Sequence, residues 1–174
     1  MTHYAEQRSR ADRAARRLSD LLRQTRSRVA TAESCTGGLL ASAFVDLPGA
    51  SDVFERGFVT YSNAAKVELL TVPTYYIDRF GAVSKETAAA MAEGATLAAQ
   101  ATVGVSVTGI AGPEGGSDEK PVGLVYVGFA IRNKEKLTAT EKFFFSGDRT
   151  EIRLQTVAAA LETTYRRLSE TARG

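Results

Sequence analysis

The chain has 174 residues, of which 44% are hydrophobic and 24% charged, and its formal net charge at pH 7 is +2. This composition predicts one globular domain with a sizeable core, neither disordered nor membrane-embedded. The longest apolar-rich stretch, 121–131, is too short to cross a bilayer, and no signal-peptide pattern is visible, so we expect a cytoplasmic protein. A single cysteine and a single histidine predict neither a disulfide nor a metal site.

Arginines are concentrated in the first 28 residues of the chain: Arg8, Arg10, Arg13, Arg16, Arg17, Arg23, Arg26 and Arg28. Such a cluster can bind nucleic acid. No aromatic side chains for base stacking are interleaved with these arginines, so a solvated helix face is the favoured interpretation. Residues 1–10 are predicted to be a mobile arm.

Hydrophobic periodicity and turn residues divide the chain into ten regular elements. In chain order we predict an amphipathic helix around 11–22, a strand at 28–32, a helix at 36–45, a strand at 53–61, a helix at 64–70 capped by Asn63, a helix from a Ser84 cap to 101, strands at 103–107, 123–131 and 137–145, the last two joined as a hairpin through 132–135, and a helix at 149–168. This order predicts a single-domain α/β fold: a three-layer α/β/α sandwich with a mixed, mainly parallel sheet of about five strands.

The junction between the first strand and the second helix, residues 31–38, is rich in hydroxyl residues and glycine. A strand–turn–helix junction can present a nucleophile or hold an anion. Ser34 is a candidate nucleophile, and because the one histidine is His3, lysine is the candidate base. Cys35 is the alternative nucleophile, although we favour the interpretation that it is a small buried residue at the start of the helix. The role of Glu33 stays open: it is either a general base or a polar group whose hydrogen bonds are satisfied within the protein.

Lys66 is the lysine whose position best suits a base. It lies one turn into the helix that follows the second strand. If the first two strands are parallel neighbours, Ser34 and Lys66 emerge together at the carboxyl edge of the sheet, with Tyr61 and Asn63 beside them as proton relay or orienting groups. Spacing alone still favours an exposed helix lysine, and a base would need a pKa well below the ordinary value near 10.4.

A glycine-rich loop, 108–116, directly follows the valine-rich strand. Two interpretations of this loop are equally favoured: its backbone N–H groups form an anion-binding nest, or it is a flexible surface loop without a ligand. Arg149, at the start of the last helix, could bind a phosphate through paired N–H donors. Capping of that helix by Asp148 or Ser146 is the safer interpretation of the same segment.

Five segments in order resemble the CinA C-terminal domain family: TAESCTGG at 31–38, GFVTYSN at 57–63, GAVS at 81–84, TGIAGP at 108–113 and SGDR at 146–149. The resemblance extends from about Leu18 to Leu168. The chain resembles the stand-alone form of the family, because it has no room for the additional N-terminal domain of the fused form. For enzymatically active members it implies hydrolysis of nicotinamide mononucleotide to nicotinate mononucleotide and ammonia, without a cofactor or metal.

The resemblance implies a Ser–Lys dyad, with Ser34 as nucleophile and Lys66 as base, and a supporting catalytic role for Tyr61. It implies supporting roles for Asn63, Thr108 and Arg149. We expect the substrate to be bound by these three residues together with Thr36, Gly37, Gly109 and Gly112. Backbone N–H groups of Cys35 or Thr36 would stabilise the oxyanion. The alternatives are a non-catalytic module linked to DNA competence and an amidase for another carboxamide. A homo-oligomer is possible. The N-terminal helix and the alanine-rich helix at 88–101 are candidates for its subunit interface, and packing within the core explains both helices equally well.

Overall fold

The computed structural model describes residues 3–132 and 137–172. Its elements are α1 (His3–Gln24), β1 (Val29–Glu33), α2 (Leu39–Val45), a 3₁₀ turn (Ala50–Asp52), β2 (Phe54–Val59), α3 (Asn63–Leu70), α4 (Thr74–Phe80), α5 (Lys85–Ala99), β3 (Val103–Gly109), β4 (Leu124–Ile131), β5 (Leu137–Phe144) and α6 (Arg149–Thr171). Of the predicted hairpin loop, 133–135 lies outside the described residues.

The five strands form one mixed sheet, as predicted, and their order in it is β2-β1-β3-β4-β5. The strand β1 pairs in parallel with β2 and β3, while β4 is antiparallel to β3 and to β5. The register pairs Glu33 with both Val59 and Val107. The strands β1 and β2 therefore end level with each other, while β3 continues to Gly109, and the residues that follow the three strands lie at one edge of the sheet.

Helices cover both faces of the sheet, which confirms the three-layer architecture. One apolar cluster joins α1, α2 and α6 to the sheet through side chains such as Leu18, Phe44 and Leu161. The other joins α3, α4 and α5 through Leu70, Ile77 and Met91. The alanines of α5 lie in this second layer, so packing within the domain accounts for their burial.

The starts of α1, α3 and α4 differ from the sequence prediction. Ser62, not Asn63, caps α3: its hydroxyl accepts a hydrogen bond from the N–H of Ala65 at 3.0 Å. The helix α4 was not predicted, because Pro73 reads as the end of α3, whereas a proline fits equally well at the start of the next helix. The helix α1 begins as early as His3, so residues 3–10, the expected arm, are helical.

Several arginines of α1 form ion pairs with acidic residues of the same domain. Arg8 binds Asp46 at 2.7 Å, and Arg10 binds Glu162 of α6 at 2.5 Å. Exposed pairs of this kind add little stability. They nevertheless occupy the guanidinium groups, which favours the interpretation of α1 as a solvated face. In the described part of the chain, no helix has the length and apolarity that a membrane crossing requires.

The close approach of α5 to the sheet predicts that Gly104→Ala destabilises the domain. A methyl group at Gly104 would lie 2.2 Å from the carbonyl oxygen of Ala92, a backbone atom that cannot move independently of the helix. We expect a loss of about 2 kcal/mol in the free energy of unfolding, measured by urea denaturation. The control is Leu97→Ala on the exposed side of α5, where we expect a change within about 0.5 kcal/mol. Equal stability of Gly104→Ala and the parent would contradict this packing argument.

Candidate active site

Two glycines turn the chain between β1 and α2. Gly37 has φ 58° and Gly38 has φ 100°, values in the left-handed region that favours glycine. The helix α2 therefore begins at Leu39, three residues later than predicted. Ser34 continues the sheet by donating its N–H to the carbonyl oxygen of Val107 at 3.0 Å. The candidate nucleophile thus lies at the carboxyl end of β1, immediately before the turn.

Glu33 is a structural residue, which resolves the alternative left open by the sequence. Its carboxylate is fully buried and accepts hydrogen bonds from the Thr36 hydroxyl at 2.6 Å and from three backbone N–H groups, those of Gly38 and Leu40 at 3.0 Å and of Ala41 at 2.8 Å. All of these donors belong to the turn and the first turn of α2. Glu33 therefore fixes the start of this helix, where a negative charge is favoured.

We expect Glu33→Ala to destabilise the domain by about 3 kcal/mol, because it leaves buried N–H groups without an acceptor. The variant Glu33→Gln retains the shape and one carbonyl acceptor, so its loss should be smaller. Thermal and urea unfolding followed by circular dichroism would measure both variants. Stability of Glu33→Ala equal to that of the parent would show that water replaces the carboxylate at no cost, contrary to this prediction.

Lys66 reaches from α3 to the nucleophile. Its Nζ lies 3.1 Å from Ser34 Oγ and donates to the carbonyl oxygens of Thr60 at 2.8 Å and Tyr61 at 3.2 Å. The residue is 1% exposed, so the interpretation as an exposed helix lysine is wrong. A neutral amine has two N–H donors and one lone pair. With both donors held by carbonyls, the lone pair is left for the Ser34 hydroxyl.

Burial lowers the pKa of Lys66 from its ordinary value of 10.5 to about 8. Removal of the ammonium from water disfavours its charged form, which is the usual route to a lysine base. A substantial fraction of the amine is therefore neutral in mildly alkaline solution. Ser34 and Lys66 together have the arrangement of a hydroxyl nucleophile with its base.

Cys35 is buried against Ala111 and Ile152, as the favoured interpretation predicted. Burial raises the pKa of its thiol to about 12. The thiolate is the nucleophilic form of cysteine, so a thiol that remains protonated at neutral pH is a poor rival to Ser34.

Arg149 links two loops at the edge of the site. Its guanidinium donates to the carbonyl oxygen of Gly112 at 2.6 Å and to the Tyr61 hydroxyl at 3.3 Å. The Tyr61 side chain is 63% exposed, and what contacts Lys66 is the backbone carbonyl of Tyr61, not its hydroxyl. Asp148 caps α6 in a reciprocal capping box with Glu151, which confirms the predicted capping of this helix. Arg149, the next residue, is exposed, so the capping does not prevent it from binding a ligand.

Of the other predicted binding residues, Thr36, Gly37, Thr108 and Gly109 form hydrogen bonds within the protein, whereas the side chain of Asn63 is exposed. The Thr108 hydroxyl donates to the carbonyl oxygen of Ala82 at 2.8 Å, and Gly109 pairs with Val125 in the sheet. The hydroxyl of Thr36 is bound to Glu33, and the N–H of Gly37 donates to the carbonyl oxygen of Ser34 at 3.2 Å. Asn63 lies at the start of α3 with an exposed side chain.

Two basic residues without a predicted role in the site bind backbone carbonyl groups of neighbouring segments. Arg153 donates to the carbonyl oxygens of Cys35 at 3.1 Å and Thr36 at 2.7 Å. Lys120, which follows the glycine-rich loop, donates to the carbonyl oxygens of Phe80 at 2.6 Å and Val83 at 2.8 Å, which fixes the segment after that loop to the segment before α5. The sequence could have indicated Arg153, because it lies one helical turn after Arg149 and therefore on the same face of the helix. Within residues 3–132 and 137–172, no group of three His, Cys, Asp or Glu side chains could hold a metal ion.

These features define an α/β domain with a Ser–Lys pair at the carboxyl edge of its parallel strands. The family model described as "CinA C-terminal domain" matches residues 11–168, and the chain belongs to this family. It is 54% identical over 138 residues to a nicotinamide-nucleotide amidohydrolase PncC from Enterobacter agglomerans, a match that covers 79% of this chain and 83% of that protein.

Other relatives are longer or have solved structures. A putative competence-damage inducible protein from Clostridium novyi is 48% identical over 87% of this chain, which spans only 36% of that relative. The crystal structure of competence/damage inducible protein CihA from Agrobacterium tumefaciens superposes with a TM-score of 0.86 at 45% identity, covering 92% of this chain and 96% of that one. A CinA superfamily protein from Escherichia coli superposes with a TM-score of 0.82 at 37% identity, covering 87% and 86%.

Proposed function

We propose that this protein hydrolyses the carboxamide of nicotinamide mononucleotide to nicotinate mononucleotide and ammonia through a Ser34–Lys66 dyad. The observation that carries the proposal is the 3.1 Å contact between Ser34 Oγ and the buried Lys66 Nζ. The substrate is inferred from the similarity to the nicotinamide-nucleotide amidohydrolase, of which the match covers most of the length.

In the proposed reaction, Ser34 Oγ attacks the carboxamide carbon while Lys66 takes the hydroxyl proton. The carbonyl oxygen becomes an oxyanion, for which backbone N–H groups of the turn are the candidate donors. The C–N bond then breaks, and ammonia leaves with the proton from Lys66. Water attacks the acyl-enzyme with Lys66 as base, the Ser34 oxygen regains a proton, and nicotinate mononucleotide is released.

Arg149 is the proposed partner of the substrate's 5′-phosphate, together with the loop around Gly112. A guanidinium that is exposed and bound to a neutral carbonyl and a neutral hydroxyl can exchange these for a phosphate, a charged acceptor. A phosphate held away from the reacting bond would orient the pyridine ring, which contributes to the rate through positioning.

The test is ammonia release from nicotinamide mononucleotide by the purified protein. Because Ser34 and Lys66 supply nucleophile and base, we expect turnover to persist in EDTA. Nicotinamide, nicotinamide riboside and unrelated carboxamides serve as competing substrates. A higher kcat/KM for one of these would replace the proposed substrate, and no amide hydrolysis with any of them would reject the proposed function.

A further inference from the structure

The guanidinium of Arg153 binds two consecutive carbonyl oxygens of the turn that follows the nucleophile. Nε donates to Cys35 and one terminal nitrogen donates to Thr36. Both carbonyls lie within two residues of Ser34 in the chain, whereas Arg153 is more than a hundred residues away, on the first turns of α6. The turn is thus held from outside by a side chain with a rigid, planar set of donors.

This contact fixes the direction of a peptide N–H group. The peptide bond between Cys35 and Thr36 is trans, so its carbonyl and its N–H point in opposite directions. A carbonyl of Cys35 that points at Arg153 leaves the N–H of Thr36 pointing away from α6. Within the described residues this N–H makes no hydrogen bond, although its neighbours at Ser34 and Gly37 do.

Among the described residues, the surrounding contacts leave two N–H groups of the turn without an acceptor, those of Cys35 and Thr36. Glu33 takes the N–H groups of Gly38, Leu40 and Ala41, and the N–H of Gly37 returns to the carbonyl oxygen of Ser34. A free, rigidly held N–H beside a nucleophile is the usual form of an oxyanion donor.

We propose that Arg153 is a positioning residue: it holds the Cys35–Thr36 segment, whose unassigned N–H groups are the candidate donors to the oxyanion formed when Ser34 attacks its substrate. The inference rests on the proposed function, since it assumes an acyl transfer at Ser34. Arg153 acts through the backbone and does not touch the substrate. Its loss therefore weakens binding of the transition state more than binding of the substrate.

The kinetic test compares Arg153→Met with the parent enzyme. We expect kcat for nicotinamide mononucleotide to fall ~10²-fold, the usual effect of a lost or misplaced oxyanion donor, while KM stays within about threefold. The pH dependence of kcat/KM should keep its midpoint, because Lys66 is not in contact with Arg153. Arg153→Lys, which keeps the cation but can hold only one carbonyl well, should recover part of kcat.

Arg166→Met is the matched control. Arg166 lies on the same helix and forms its ion pairs with Glu141 and Glu170, outside the site, so we expect parental kcat and KM. A raised KM with parental kcat in Arg153→Met would make Arg153 a substrate-binding residue and overturn the proposal. If Arg153→Met fails to fold, Arg153→Lys decides: a loss of about tenfold in kcat supports the proposal, and parental kcat overturns it.

A second measurement does not depend on the substrate. A fluorophosphonate reacts with an activated serine: the Oγ–P bond forms, the P–F bond breaks, the hydroxyl proton passes to Lys66 and fluoride leaves. Mass spectrometry of the intact protein would give the labelling rate. We expect it to fall ~10²-fold in Arg153→Met. Labelling of Ser34 without hydrolysis of the nucleotide would reject the proposed substrate only, whereas equal labelling of Arg153→Met and the parent would overturn the role of Arg153.

Discussion

Ser34→Ala is expected to lower kcat for amide hydrolysis at least ~10³-fold while the protein stays folded. The variant removes the oxygen that forms the acyl-enzyme, and loss of a nucleophile in other serine hydrolases has effects of this size or larger. Among the described residues, the Ser34 hydroxyl is held by Lys66 alone, so we expect its removal to leave the turn and its Glu33 contacts unchanged. Ammonia release measured with a coupled assay, and a melting temperature close to that of the parent, would check both parts.

Cys35→Ala is the matched control for this experiment, because it changes the neighbouring side chain of the same turn. Its thiol is buried and protonated, so we expect the variant to keep most of kcat. Activity of Ser34→Ala near the parental level would reject the dyad. Loss of activity in a folded Cys35→Ala protein would instead assign the nucleophile to the thiol.

The activity is expected to rise with pH and to level off above a midpoint of about 8, the pKa to which burial lowers the Lys66 amine. Only the neutral amine can accept the Ser34 proton. Below the midpoint, its population falls tenfold for each pH unit, and kcat/KM should fall with it. The measurement is a kcat/KM profile between pH 6 and 10, a range chosen to span about two units on each side of the midpoint.

Lys66→Arg separates the role of the base from that of the positive charge. An arginine keeps the cation but does not lose its proton in this pH range, so we expect a loss of at least ~10³-fold and no rise with pH. Lys142→Met, on β5, removes an exposed lysine and should retain the parental profile. A profile with no midpoint between pH 7 and 9 in the parent would contradict Lys66 as the base.

The same neutral amine affects stability. In the unfolded chain Lys66 has its ordinary pKa, so between about 8 and 10.5 the unfolded state binds more protons than the folded state. The contribution of this residue to stability therefore rises with pH across that window. Below it, the folded protein retains a buried ammonium that is held by two carbonyl groups, those of Thr60 and Tyr61.

Most features that depend on neighbouring residues could be predicted from the amino-acid sequence. Alternating valines identified β3, the order of the elements indicated a mixed α/β sheet, and the two glycines after Thr36 located the turn behind Ser34. These signals are local, because strand periodicity and left-handed backbone both follow from a few consecutive residues. The start of α4 was missed for the same reason: Pro73 is compatible with the end of one helix and with the beginning of the next.

The groups that contact Ser34 and its turn follow from the packing of the whole domain. Lys66 is a buried base and not a solvated lysine because β1 and β2 are parallel neighbours that end level, a register set by the whole sheet. Arg153 reaches the same turn only because α6 packs on that side of the sheet. Glu33 and Thr36 became structural residues through contacts with each other and with α2. Burial and long-range contact fix the pKa values and hydrogen bonds of such groups, and spacing along the chain does not encode them.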